Sequence, residues 1–188
     1  MGGMMSDMKT RLKGFLRNHS GVAAVEFGLV MPIFALVVFG GYATFNAVQV
    51  DRSIDRSSTI IADLTSRLSV IDDTTAKNLI EVGKSLSGAV SGEDNYEIKL
   101  SSVSNTFDAF DTYDLEVDWS FSSESGNELK KSELGDYEIP FIPEGESVIL
   151  VTVEVDYATL MFQDLFGLIS LEQTSTRRPR FVPLVVHE

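Results

Sequence analysis

The sequence predicts an α+β chain, with a long N-terminal helix, a second shorter helix and then an antiparallel sheet. Three observations predict it. Residues 27–50 contain no charged side chain. A helical repeat of apolar and small residues runs on from that stretch to residue 71. From residue 96 onward the pattern changes to a period of two, and helices followed by strands in series is the order of an α+β domain.

Residues 1–21 read as a basic leader, with Lys9, Arg11, Lys13 and Arg17 against the single acid Asp7. The positive-inside rule keeps such a segment cytoplasmic. Residues 22–50 read as a transmembrane helix. The uncharged part extends for about 36 Å as a helix, against roughly 30 Å of bilayer hydrocarbon, so it spans with some tilt. Residues 51–71 read as an aqueous extension of that helix, and residues 72–188 as a periplasmic α+β domain. A cleaved secretory signal is the competing reading, since residues 27–39 could be an h-region and residues 41–43 a loose cleavage site. Glu26, Pro32 and the continuing helical pattern argue against it.

Glu26 is the most informative residue in this segment. A carboxylate at the centre of a spanning helix costs roughly 2.5–3.5 kcal/mol, and less near an interface. A chain that places one at the mouth of such a helix is expected to use it. Pro32 removes one backbone donor and is expected to kink the helix near the preceding turn. Positions 36, 40, 43, 47, 50, 54, 57, 61, 64, 68 and 71 read Leu, Gly, Ala, Ala, Val, Ile, Ser, Ile, Leu, Leu, Ile and form one helical face. Gly40, Ala43 and Ala47 give its membrane half small residues that let another helix approach closely. Its aqueous half is aliphatic and suits packing on a sheet or on a neighbour's helix.

Asp72 or Asp73 can cap a second helix over residues 74–87, where Ala76, Leu79, Ile80, Gly83 and Leu86 form a stripe and Gly88 marks a stop. Residues 88–95 read as a loop. Tyr96, Ile98 and Leu100 alternate with Glu97 and Lys99 in a first strand with one wet face. Tyr113, Leu115, Val117, Trp119 and Phe121 alternate without a break against polar residues, predicting a strand with all five on one face. Residues 122–127 read as a turn and residues 128–146 as a long excursion with little regular structure. Ile149, Val151, Val153, Val155 and Tyr157 share one face of a third strand. Residues 160–166 read as a short apolar turn of helix and residues 170–178 as the last strand.

The charged leader ending in Gly21, the acid five positions beyond it and the apolar helix beginning there resemble type IV pilin-like subunits. More narrowly, Gly21-Val-Ala-Ala-Val-Glu26-Phe27-Gly-Leu-Val-Met-Pro32 resembles the TadE-like pseudopilins of tight-adherence (Flp-type) pilus systems. Val153-Glu-Val-Asp-Tyr157 and Arg178-Pro179-Arg180 are weaker points of similarity. The resemblance implies a pilin-like fold and a non-enzymatic minor subunit of the inner membrane. It implies cleavage after Gly21 by a prepilin peptidase, with Val22 as the new N-terminus and Glu26 and Phe27 beside it in the assembly contact. It implies as partners other pilin and pseudopilin subunits and the inner-membrane pilus assembly platform, besides the lipid bilayer. Val22 stands where many type IV prepilins carry Phe or Met, so methylation of the new terminus lies outside what the resemblance implies. A signal-anchored periplasmic binding or sensor module is the alternative from another class.

Composition and motifs narrow the rest. The formal charge of -13 disfavours nucleic acid as a partner. The absence of Cys removes disulfides, thiol chemistry and Cys-based metal sites. His19 and His187 lie at opposite ends of the chain, and no phosphate-binding loop or nucleophile elbow occurs, so neither catalysis nor a cofactor is expected. Asp108, Asp111, Asp114, Glu116 and Asp118 do not match a calcium-loop spacing and read as a solvated acidic face. Arg177, Arg178 and Arg180 follow a body with 6 bases against 23 acids over residues 57–176, which predicts local pairing or docking on another subunit's acidic face.

Overall fold

The structure, a computed structural model, describes residues 20–87, 96–107, 113–158 and 168–188. The basic leader, the loop over 88–95, Asp108, Asp111 and the apolar turn over 160–166 lie outside the described residues. The chain divides into two units, one ending at Thr44 and one beginning at Phe45. Helix α1, Ser20–Thr65, contributes its first part to one and its last part to the other.

In the first unit α1 is apolar on every side. Val25, Phe27, Leu29, Ile33, Phe34, Leu36 and Val37 are each exposed, Val25 by 70%. No residue from 21 to 49 is buried within the chain. A helix apolar all round needs a non-aqueous surrounding, and this one is long and apolar enough to cross a membrane by length and composition. Fully burying each such side chain contributes about 1.5–3 kcal/mol, so the single carboxylate of Glu26 cannot outweigh the run. α1 passes through Pro32 as one helix.

In the second unit α1 becomes amphipathic. Val50, Ile54, Ser57, Ser58, Ile61, Ala62 and Thr65 are buried, whereas Leu64, expected on that face, is 38% exposed. Steps of four and three average 3.5 residues, against 3.6 per helical turn, and the mismatch drifts by about 20° per heptad. By residue 64 the face read from a strict heptad has turned away from the core. The helix also ends at Thr65 and does not reach residue 71. Leu68 still packs against the core, and Ile71 is buried in a short strand, β1, Val70–Ile71.

Asp72 caps helix α2, Asp73–Ser87, by accepting the Thr75 amide at 3.0 Å. Hydrogen bonds from the Thr75 hydroxyl and amide hold its carboxyl below the ordinary Asp value. Ala76, Ile80 and Gly83 are buried along the predicted stripe, with Leu79 packed beside them. α2 lies against α1 through a seam of small residues. The Ser53 hydroxyl donates to the Leu86 carbonyl at 3.1 Å, Ser57 to the Gly83 carbonyl at 3.4 Å, and Ser87 to the Ser57 hydroxyl at 2.8 Å. A methyl group on Gly83 would lie 2.3 Å from Ile61 Cδ1 and 2.8 Å from Ile98 Cδ1. A side chain there requires the terminal methyls of Ile61 and Ile98 to shift.

The sheet comprises β2, Tyr96–Phe107, β3, Tyr113–Ser122, β4, Ser147–Ala158, and β5, Leu168–Arg177, in the order β3-β2-β4-β5, all antiparallel. One face packs on the helices with Ile98, Leu100, Trp119, Phe121, Ile149, Val151 and Val153. β3 does not keep its five alternating apolar residues on that face. Ser102 pairs with Trp119 but Val103 pairs with Val117, so Asp118 is an extra residue in β3. Because side chains alternate with a period of two, one inserted residue moves everything beyond it to the opposite face. Leu115 and Val117 therefore join Val103, Val148 and Leu150 on the second face, and the Asp118 carboxylate accepts the Ser102 and Ser104 hydroxyls at 3.0 and 2.6 Å.

That second face is covered by the excursion expected to have little structure. Residues 131–136 form a 3-10 helix, Lys131–Asp136, and Leu129, Leu134 and Ile142 are buried against the sheet. Asn105 donates to the Ile142 carbonyl at 2.8 Å from beneath. The C-terminal segment straps the other side. Arg180 donates its amide to Ser66, Val186 to Ser69 and Glu188 to Ile71, while β6, Val186–His187, pairs with β1 in parallel. Trp119 Nε1 donates to the Val185 carbonyl at 2.7 Å.

Gly83→Ala should destabilise the second unit by about 1–3 kcal/mol, the usual penalty of overpacking. Denaturant unfolding followed by the fluorescence of Trp119, the single Trp of the chain, measures it; an unchanged midpoint would mean that the seam opens freely.

Candidate functional site

The residues expected to serve processing, assembly and helix packing all lie on α1. Gly21 and Val22 occupy its first turn and are exposed. Glu26 follows Val22 by four residues, one turn along the same side of the helix. Its carboxylate is exposed, as is the Phe27 ring beside it, and no described residue pairs with Glu26.

Gly40, Ala43 and Ala47 share a side of α1 but differ in surroundings. Gly40 is exposed and a Cβ there would meet nothing within 4 Å. Its carbonyl accepts the Thr44 hydroxyl at 2.8 Å. Ala43 is half-buried, and Ala47 packs against the core of the second unit together with Val50 and Ile54. The lower end of the small-residue row thus has a partner within its own chain, which the sequence reading did not expect. Among the described residues no packing contact requires a glycine at 40.

Residues 21–55 match the family model described as TadE-like protein. The match covers 35 of 188 residues, all within α1, and takes in each candidate residue from Gly21 to Ala47. It makes the helix similar to that pilin-related family and does not extend to the sheet. No curated protein and no solved structure matches the chain.

The remaining candidates resolve into local pairs. Arg178 reaches Glu146 at 3.4 Å and the Phe141 carbonyl at 2.8 Å, and Arg180 pairs with Asp63, which also holds Arg67. Arg178 and Arg180 serve the surface of their own domain, holding the C-terminal strap to α1 and to the start of β4, while Arg177 donates to the Thr176 carbonyl. Exposed pairs of this kind contribute about 0–1 kcal/mol each. The buried side chains of Val50, Ile54 and Ile61 supply about 1.5–3 kcal/mol apiece, so packing decides how α1 docks and the ion pairs tune it. Asp114 and Glu116 face Lys131 at 2.5 and 3.6 Å. His187 lies 3.1 Å from Asp73 and edge-on to Phe121. Among the described residues no group of three or more His, Asp or Glu could hold a metal ion.

Gly40→Leu should leave the unfolding midpoint of the second unit unchanged, whereas Ala47→Leu should lower it through overpacking. Equal loss in both variants, measured on the full chain in detergent, would contradict this division of the row.

Proposed function

We propose that the chain is a minor pilin-like, non-enzymatic subunit that takes part in assembling a tight-adherence (Flp-type) pilus. α1 holds it in the cytoplasmic membrane, with the N-terminus inside and residues 72–188 in the periplasm. The observation that carries this reading is Glu26, an exposed carboxylate near the N-terminal end of a helix whose residues 21–55 match the TadE-like family model.

The chemistry follows from charge in a low dielectric. Cleavage by a prepilin peptidase after Gly21 leaves an ammonium on Val22. An isolated charge near hydrocarbon is costly, and an ammonium with a carboxylate from a neighbouring subunit relieves both at once. Such a pair also fixes the axial stagger of adjacent helices, as a buried polar residue fixes register in a coiled coil. Phe27 lies beside this contact, and Gly40 with Ala43 permits close approach farther along the helix. The assembly platform of the inner membrane would then receive subunits already in register.

Glu26→Gln keeps the shape of the side chain and removes its charge. The variant should insert and be processed, while its co-assembly with pilin subunits falls by about tenfold or more, since an unpaired buried charge costs about 3–5 kcal/mol. Co-purification and counts of pili per cell are the readout. Normal piliation by a processed Glu26→Gln subunit would reject the role.

A further inference from the structure

The two edges of the sheet are finished differently. β3 carries Asp114, Glu116 and Asp118, breaks register at Asp118, and is bridged by Lys131 from the 3-10 helix. Inserted residues and charges along an edge discourage pairing with another chain. β5 has few of these protections. Its ten residues pair with β4 in unbroken register from Ala158↔Leu168 to Ile149↔Arg177, with no Pro and no Lys among them. Among the described residues outside the sheet ladder, the one bond to its backbone runs from the Arg177 guanidinium to the Thr176 carbonyl at 3.3 Å. A long, regular edge strand is a template for another strand.

The acidic charge beside this edge is only partly compensated, by Lys99, which pairs with Glu97 and also acts on Glu154. Glu97, Glu154 and Glu172 stand in one cross-strand row over β2, β4 and β5. Lys99 pairs with Glu97 at 3.5 Å, and the Ser170 hydroxyl donates to Glu154 at 2.9 Å. No described base lies within ion-pair distance of Glu154 or Glu172. Like charges directly opposite on a sheet destabilise it, and an opposite charge in the next strand restores the balance. On the other face of β5, Ile169 is 38% exposed and Leu171 half-buried, offering an apolar neighbour.

We propose that the outer edge of β5 takes up an extended segment of a partner chain as a fifth strand, with a Lys or Arg opposite Glu172 and apolar residues beside Ile169 and Leu171. A second copy of this chain fits poorly. Its own edges would bring Asp114 and Glu116, or another Glu172, to a row already short of positive charge. The inference stands on the sheet and is independent of the fate of α1.

The test uses the full chain in detergent micelles and three ten-residue peptides: alternating Val and Lys, the same peptide N-methylated at alternate amides, and alternating Val and Glu. The Val/Lys peptide should slow hydrogen exchange of β5 amides by about tenfold and leave those of β3 unchanged. The N-methylated and Val/Glu peptides should not. Glu172→Lys, an exposed substitution that leaves the core intact, should transfer the preference to the Val/Glu peptide. Protection outside β5, indifference to N-methylation, or an unchanged preference in Glu172→Lys would overturn the proposal. So would concentration-dependent protection of β5 without peptide, which would assign the edge to a second copy.

Discussion

Everything in this chain depends on a change of surroundings along one helix. Up to about Val48, α1 presents large apolar side chains in every direction and none is buried by the chain itself. From Val50 onward only one stripe is apolar, and that stripe is the floor on which α2 and the sheet are built. The first half is long and apolar enough to cross a membrane, and the second is packed against a folded domain.

The domain end of α1 is held by close contact more than by charge. Gly83 lets α2 and the sheet approach Ile61, and the Ser57 and Ser87 hydroxyls satisfy each other in the same seam. The C-terminal strap then ties Ser66, Ser69 and Ile71 to residues 180–188. Through these bonds the last residues of the chain finish the region where α1 ends. Arg178 and Arg180, which from the sequence could equally have faced another subunit, are occupied in this closure.

The parts legible in the sequence were those governed by local period. The uncharged run, the stripe of α2 with its Asp72 cap, the first five residues of β2, and strands β4 and β5 follow from spacing that the structure keeps, whereas β2 continues unforeseen to Phe107. What the sequence concealed depended on partners distant along the chain. The alternation of residues 113–121 looks continuous, yet the inserted Asp118 sends Leu115 and Val117 to the opposite face, because register is decided by β2. The excursion over 128–146 looks polar, yet three of its residues form the lid of that face. One signal was present: Val148 to Val151 is an uninterrupted apolar run, the mark of a strand covered on both sides. At the site, Glu26 stood out as an acid at the mouth of an uncharged run, whereas Gly21 and Val22 were singled out through the resemblance of residues 21–32 to TadE-like subunits. Ala47 could not be assigned to its own domain from spacing, because how far the core reaches along α1 is decided by the residues packed on it.

The central claim is that Glu26 awaits an ammonium made by cleavage at Gly21. It is tested most directly by the intact mass of the membrane form, expressed with and without a prepilin peptidase. The account predicts a chain that begins at Val22 when the peptidase is present and at the leader when it is absent, with both forms in the membrane fraction. A membrane form that keeps residues 1–21 in the presence of an active peptidase would contradict it.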